Sequence, residues 1–293
     1  MDSPGPLILF YNSFFAAGPE APADCQTPCT FTTDADALGA ADAVVFHLPT
    51  LAEQPLPRKR KGQLWVAWSM ESRVMYPLLG DAQFMAPFDL TMTYERTSDV
   101  WMPYFGPGTV PGLRREVTPK TASSPVVYLQ SNAQDRCERL RYAAELMTVV
   151  RVDSFGRVHR NQTEQIAPGW LPRQELYSKY KFTLAFENSF AADYVTEKLY
   201  EPLTAGSVPV YRGTEDVAEL APAPGCYIDA RSFASARELG AYLNHLDTHD
   251  EEYLAFHEWR AQPFSASFEH HLALLREHPF CRLAAAVAVR GLS

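Results

Sequence analysis

Short apolar runs recur along this chain, each parted from the next by turn-rich or helix-patterned sequence. That rhythm limits the fold more than any other feature. Leu7 to Tyr11, Ala43 to Phe46, Leu64 to Trp68 and Leu90 to Tyr94 read as strands, the last with apolar and polar positions alternating. Between the first two, Thr33-Asp34-Ala35-Asp36-Ala37-Leu38 reads as a capped helix. Strands parted by helices argue for a parallel sheet with crossover connections.

A second series follows. Val126 to Leu129, Val150 to Asp153, Phe182 to Phe186 and Ser207 to Tyr211 read as strands. Helical spacing covers Cys137–Val149, with further helices expected at 174–180, 194–205, 238–246, 251–260 and 268–277. Gly206 suits a helix C-cap. Between the two series, Pro103, Gly106, Pro107, Gly108, Pro111, Gly112, Pro119 and Pro125 mark a linker. The expected domains are therefore 1–112 and 113–293, with the terminal helix a candidate to pack back on the first.

The chain has 293 residues, enough for one large domain or two smaller ones. Its net charge of −9 argues against broad nucleic-acid binding, which needs a basic face. The short run Arg58-Lys59-Arg60-Lys61 reads as a solvated loop. Five cysteines, Cys25, Cys29, Cys137, Cys226 and Cys281, cannot all pair within one chain. The simplest reading is reduced thiols in a cytoplasmic protein, although Cys25 and Cys29 could close a small loop in a secreted one. No run approaches the length needed to cross a bilayer. Either the protein is soluble, with peripheral membrane contact left open, or an anchor lies upstream of this chain.

The common phosphate-binding glycine motifs, the GxSxG elbow and HExxH are all missing. Asp34-Ala35-Asp36 matches a DxD pattern that could hold a divalent cation. At a helix start, however, capping is the plainer use of Asp34. The dense region is Tyr180 to Gly213. Its strand ends at Phe186, Glu187-Asn188-Ser189 break it, and Asp193 or Thr196 can cap the helix that follows. Ligands of open α/β sheets bind beyond the carboxyl ends of strands, and early helical N–H groups favour an anion. Lys198 adds a charge suited to phosphate, Glu197 suits ribose hydroxyls, and Asn188 and Tyr194 supply neutral donors. The plainer alternative is an ordinary strand-turn-helix with a surface Glu-Lys pair.

The run Phe186-Glu187-Asn188-Ser189, Asp193-Tyr194-Val195-Thr196-Glu197-Lys198-Leu199 and Ala205-Gly206-Ser207-Val208-Pro209-Val210 closely resembles the signature of the α1,3/α1,4-fucosyltransferases. Trp68-Ser69-Met70-Glu71-Ser72 resembles the family's N-terminal element. Further resemblance runs through Phe88–Tyr94, Ser98–Val100, Ser131-Asn132, Arg139–Tyr142 and Val152–Arg157, so roughly residues 40 to 280 can be followed. The resemblance implies an α/β GT-B fold, two Rossmann-like domains facing each other across a cleft. The C-terminal domain would bind GDP-fucose and the N-terminal domain an N-acetyllactosamine-type glycan.

The resemblance also implies roles. Glu71 would be the general base of an inverting transfer. Arg139 and Lys198 would clamp the donor diphosphate, with Arg141 the rival on the same helix. Glu197 would hold the ribose, Asn188 and Tyr194 would line the fucose and phosphate pocket, and Glu187 would hydrogen-bond donor or backbone. His47 would stand near the acceptor. Tyr180, Lys181 and Arg157 are weaker candidates to frame the donor cleft. No cofactor is implied beyond the co-substrate GDP-fucose, and no metal site, with a divalent metal at most stimulatory. Acceptor contacts are expected from loops 12–30 and 47–63. Two rivals stay open: a related transferase using another nucleotide sugar, and a silent glycan- or nucleotide-binding protein.

Overall fold

The computed structural model describes residues 5–15, 22, 24–51 and 56–291. It divides into two compact units, Met1–Pro103 with Leu274–Ser293, and Tyr104–Ala273. The expected border after residue 112 thus moves upstream. Val110–Leu113 winds into a short helix, and Gly112 lies so close to Thr204 that a Cβ there would stand 2.7 Å from the threonine Cβ. This Gly/Pro stretch therefore packs within the second unit.

The first unit holds strands β1 (Leu7–Phe10), β2 (Thr30–Thr32), β3 (Ala43–His47), β4 (Leu64–Ser69), β5 (Leu90–Thr93) and β6 (Val100–Trp101). They form one parallel sheet in the order β2-β1-β3-β4-β5-β6. β3 is buried along its whole length. Ala43 and Val45 enter one core, Val44 and Phe46 the other. Val66 and Trp68 of β4 part in the same way from Trp65 and Ala67. A parallel sheet covered on both faces needs apolar side chains at successive positions, which is why these strands read as unbroken apolar runs. Asp34 caps a single 3-10 turn, Ala35–Gly39, by accepting from the Asp36 N–H at 3.0 Å.

The alanine-rich tail is not a simple chain end. Pro279–Arg290 is a helix, opened by Pro279 and capped by His278 Nδ1, which accepts from the Phe280 N–H. Phe280, Leu283, Ala284 and Val287 form a stripe at helical spacing and complete one core of the first sheet. Burying a side chain the size of Leu283 contributes about 1.5–3 kcal/mol. Arg282 donates to the Trp101 carbonyl at 2.6 Å and Arg290 pairs with Asp99 at 2.6 Å, fixing the helix over β6.

The reduced-thiol reading is corrected here. Cys25 and Cys281 form a disulfide across 256 residues of sequence, with their Cα atoms 5.1 Å apart. Among the described residues Cys29, Cys137 and Cys226 keep free thiols. Such a bond suits an oxidising compartment, so the thiol argument for a cytoplasmic location falls away. Among the described residues no helix is long and apolar enough to cross a membrane.

The second unit holds strands β7 (Val126–Tyr128), β8 (Val152–Ser154), β9 (Phe182–Phe186), β10 (Val208–Arg212) and β11 (Ile228–Asp229), parallel in the order β11-β10-β9-β7-β8. Its main helices are α1 (Arg139–Leu146), α2 (Trp170–Ser178), α3 (Glu197–Ala205), α4 (Ala236–Thr248) and α5 (Asp250–Ala255). α1, α4 and α5 pack with Phe182, Leu184 and Phe186 on one face of the sheet. Leu176 and Tyr177 of α2 and Ala205 of α3 pack with Val127 on the other. Gly206, at φ 80°, ends α3 in the left-handed conformation that suits glycine. The expected helix at 251–260 is broken. α5 ends at Ala255 and a 3-10 turn, Glu258–Ala261, follows.

Candidate active site

In the second unit the site is built where β9 stops and α3 starts. β9 is wholly buried and carries the chain to Phe186. Glu187 then turns inward and is fully buried. Its carboxylate accepts from the Thr196 N–H at 2.8 Å and from the Thr196 hydroxyl at 2.9 Å. That hydroxyl therefore points its lone pairs toward Lys198, whose Nζ donates to it at 3.0 Å. Thr196 is the N-cap of α3, its side chain accepting from the Lys198 N–H. The loop between them reverses at Asp193, a non-glycine residue at φ 61°. The Asp193 N–H is held by the Asp216 carboxylate at 3.1 Å.

Lys198 is the cation at the head of α3. Its Nζ lies 3.0 Å from Glu197 Oε1 and 3.4 Å from Glu187 Oε2, with a quarter of its side chain exposed. Burial disfavours its charged form, yet the two carboxylates outweigh burial and raise its pKa. Burial raises the pKa of Glu187 despite Lys198. For Glu197 burial also works upward, but the charge and hydrogen bond of Lys198 prevail and lower it. A fixed ammonium and the first N–H groups of a helix thus converge at the carboxyl end of a parallel strand, a setting suited to an anion.

Arg139 opens α1 and is almost wholly buried. Its Nη1 donates to the Phe186 carbonyl at 3.1 Å, and its Nη2 to the carbonyls of Asn132 at 3.0 Å and Gln134 at 2.8 Å. The fork expected to face a diphosphate is engaged by backbone in this structure, and Nε alone lacks a partner among the described residues. Its rival Arg141 is exposed and pairs with Glu138 and Glu145.

Asn188 is buried, and its carbonyl accepts from the Arg136 N–H at 2.8 Å. Tyr194 is buried with its carbonyl accepting from the Tyr211 hydroxyl at 3.3 Å, and its ring meets Tyr104 edge-on at 6.3 Å. Tyr180 and Lys181 stand at the opposite end of β9, where Tyr180 donates to Asp153 and Lys181 to Asp250. Five residues of strand span about 17 Å, so these two do not frame this site. Arg157 donates to the Ser131 carbonyl at 3.3 Å.

Sequence reading passed over two contributors. Asp135 accepts the N–H groups of Cys137, Arg139 and Leu140, capping α1 and orienting Arg139. Arg212, paired in register with Phe186, donates to the Cys137 carbonyl at 2.6 Å and lies between the rings of Tyr142 and Phe190. Its place at a strand's carboxyl end was the available signal. A cavity of about 350 Å³ runs along the Glu197–Thr204 face of α3, walled by Tyr104, Arg115 and Trp170. A second, of about 490 Å³, lies between Phe190, Thr214 and Arg231.

In the first unit, His47 ends one strand and Glu71 follows the carboxyl end of its neighbour. Glu71 lies in the turn after β4, half-buried, its N–H held by Ser69 Oγ at 3.2 Å. Ser72 Oγ accepts from the Val74 N–H, and the Ser72 carbonyl from Met75 and Tyr76, so both serines of the motif brace the turn. Burial and then the Glu71 charge raise the Tyr76 pKa.

His47 ends β3 and is fully buried among Phe14, Phe15 and Trp68. Its Nδ1 lies 2.7 Å from Thr50 Oγ1, and Thr50 gives its own proton to the Ser13 carbonyl. The imidazole proton therefore sits on Nδ1, leaving Nε2 the acceptor, without a partner among the described residues. Burial lowers the His47 pKa to about 4, so the ring is neutral near pH 7. Of the loops expected to meet the acceptor, residues 16–21, 23 and 52–55 lie outside the described residues.

Two parallel α/β units in this order match solved α1,3-fucosyltransferase structures. One with GDP-fucose gives a TM-score of 0.64 at 17% identity, covering 94% of this chain and 90% of that one. One with GDP gives 0.63 at 16% identity, over 94% and 90%. The architecture is thus GT-B, built from two Rossmann-like units. The sequence profile of glycosyltransferase family 10 (fucosyltransferase), C-terminal, matches residues 118–291, and that of the fucosyltransferase N-terminal region matches 3–105. The chain belongs to the family 10 fucosyltransferases.

Among its relatives, a fucosyltransferase-like protein of Arabidopsis thaliana is 31% identical over 268 residues, 91% of this chain and 49% of that protein. The 4-galactosyl-N-acetylglucosaminide 3-alpha-L-fucosyltransferase FUT5 of Homo sapiens is 33% identical, covering 85% of this chain and 67% of its own length. Alpha-(1,3)-fucosyltransferase 7 of Mus musculus is 33% identical, over 87% and 65%. The chain spans about half to two thirds of these relatives.

Proposed function

We propose that this chain is an inverting α1,3-fucosyltransferase. It moves L-fucose from GDP-β-L-fucose to the O3 hydroxyl of N-acetylglucosamine in N-acetyllactosamine-type glycans. The observation that carries this reading is the Lys198 ammonium held at the head of α3 between Glu187 and Glu197, in a chain of the fucosyltransferase family.

In the proposed reaction Glu71 takes the proton of the acceptor hydroxyl as its oxygen attacks the anomeric carbon. The bond from that carbon to the β-phosphate oxygen breaks, and GDP leaves with the electron pair. Lys198 and the α3 N–H groups offset the charge that grows on the diphosphate. Arg139 holds the Asn132–Gln134 loop against the end of β9 and adds its own field. Glu197 binds the ribose hydroxyls, and Asn188 and Tyr194 shape the donor pocket. Glu187 orients Thr196 and Lys198 rather than touching the donor. His47, fully buried, backs the acceptor side from behind Phe14 and Phe15 rather than touching an acceptor hydroxyl.

The test is GDP release from GDP-fucose with and without N-acetyllactosamine, for the protein and for Glu71→Gln, with product linkage read by NMR. Acceptor-dependent release, an α1,3 product and a loss of about 10²–10⁴ in the variant are expected. Donor binding without turnover over a broad acceptor panel would overturn the enzyme reading. Undiminished turnover in Glu71→Gln would overturn the choice of base.

A further inference from the structure

At the far end of β9 from Glu187, α4 runs into α5 and brings two imidazoles and a carboxylate together. His245 and His249 are one helical turn apart with rings stacked at 3.8 Å, and Glu252 reaches back from the first turn of α5. His245 Nε2 lies 3.0 Å from Glu252 Oε1. One ligand atom from each of the three lies within 4.8 Å of the other two.

We infer that His245, His249 and Glu252 are a binding site for a late first-row divalent ion, with Zn²⁺ the fitting probe. Zinc–nitrogen bonds of about 2.0–2.1 Å in a tetrahedral shell set neighbouring ligand atoms about 3.4 Å apart. The His245–Glu252 contact is already close to that spacing, whereas the ligand atoms of all three lie within 4.8 Å, and the stacked rings must turn for their lone pairs to meet at one ion. The His249 tautomer suits. His249 Nδ1 lies 2.7 Å from the His245 carbonyl, which can only accept, so Nδ1 carries the proton and Nε2 the lone pair. A ring N–H given to a backbone carbonyl is the usual outer-shell support of a metal-bound histidine. His245 Nε2 faces Glu252 as a donor, so ligation through it needs the other neutral tautomer, with the proton moved to Nδ1. Three protein ligands leave a fourth position for water.

The site would be structural. Tyr253 of α5 is buried and packs edge-on against Phe182 at the start of β9, so an ion here ties α5 to the end of α4 and to the core.

ZnCl₂ titrated calorimetrically into the intact chain, in buffers of different ionisation heat, tests this. One saturable ion per chain and a melting temperature raised by several degrees are expected. Losing a ligand costs at least what losing an outer-shell partner does, about 10–100-fold in affinity, so His249→Ala and Glu252→Gln should each show that fall. Absence of saturable binding, or binding unchanged in His245→Ala/His249→Ala, would overturn the site. GDP release is expected to stay the same with and without Zn²⁺, so this outcome is independent of the proposed transferase activity.

Discussion

Glu187 binds Thr196 twice, accepting its backbone N–H at 2.8 Å and its hydroxyl at 2.9 Å, with the carboxylate wholly buried. This contact orients the cap of α3 and, through the threonine hydroxyl, the Lys198 ammonium. Removing the buried carboxylate orphans the Thr196 N–H and hydroxyl, while Lys198 keeps Glu197. Glu187→Ala should therefore destabilise the second unit by about 2 kcal/mol or more. Thr196→Ser keeps both bonds and loses one buried methyl, about 1 kcal/mol. Denaturant unfolding of the two variants checks the contrast. Equal losses would mean that packing, not charge, governs this corner.

Lys198 and Arg139 should fail differently. Lys198→Met removes the exposed charge, and kcat/KM for GDP-fucose is expected to fall about 100-fold or more. Arg139→Lys breaks a fork that ties three carbonyls, that of Phe186 in a buried bond, so a stability loss of about 2 kcal/mol or more should accompany any loss of turnover. A raised donor KM in Arg139→Lys with an unchanged melting temperature would instead make it a direct diphosphate contact.

The disulfide gives a thiol count. Denatured, unreduced protein should react at three cysteines, Cys29, Cys137 and Cys226, and at all five after reduction. Cys281→Ser frees the terminal helix from residue 25 and should cost the first unit about 2–5 kcal/mol, read as a lowered unfolding midpoint. Five reactive thiols before reduction would refute the pairing.

His47 sets an acid limit on the first unit. Its folded pKa is depressed from 6.5 to about 4 by burial. Between those values the unfolded chain binds more protons than the folded one, so stability falls as pH falls through this window. The loss from this group is up to about 3 kcal/mol and levels off below pH 4. His257, depressed to about 3 mainly by burial, acts with the same sign in the second unit. Unfolding free energies measured across that range should show the slope, and His47→Gln should flatten it. An unaltered slope in the variant would assign the acid sensitivity elsewhere.

Much of this fold could be read along the chain. Strands buried on both faces must be apolar at every position, so β3, β4, β9 and β10 show as continuous runs. Thr30–Thr32, Val100–Trp101 and Ile228–Asp229 could not be found, because two or three residues carry no period. The stripe Phe280, Leu283, Ala284 and Val287 was in plain view but needs a sheet to pack on before it means a helix. Strand ends and helix starts also placed Glu187, Thr196, Glu197 and Lys198 together, since a strand-turn-helix is local.

Local spacing and local periodicity thus determine the alternation of strands and helices, the α3 cap and the Glu-Lys pair at its head. Tertiary structure alone decided the rest. It joined Cys25 to Cys281, turned the Arg139 fork onto the Phe186 carbonyl and, through Thr50 and Ser13, fixed the proton of His47. Each of these depends on groups far apart in sequence meeting in a buried place, where a hydrogen bond or an S–S bond is made only by what the fold brings within reach.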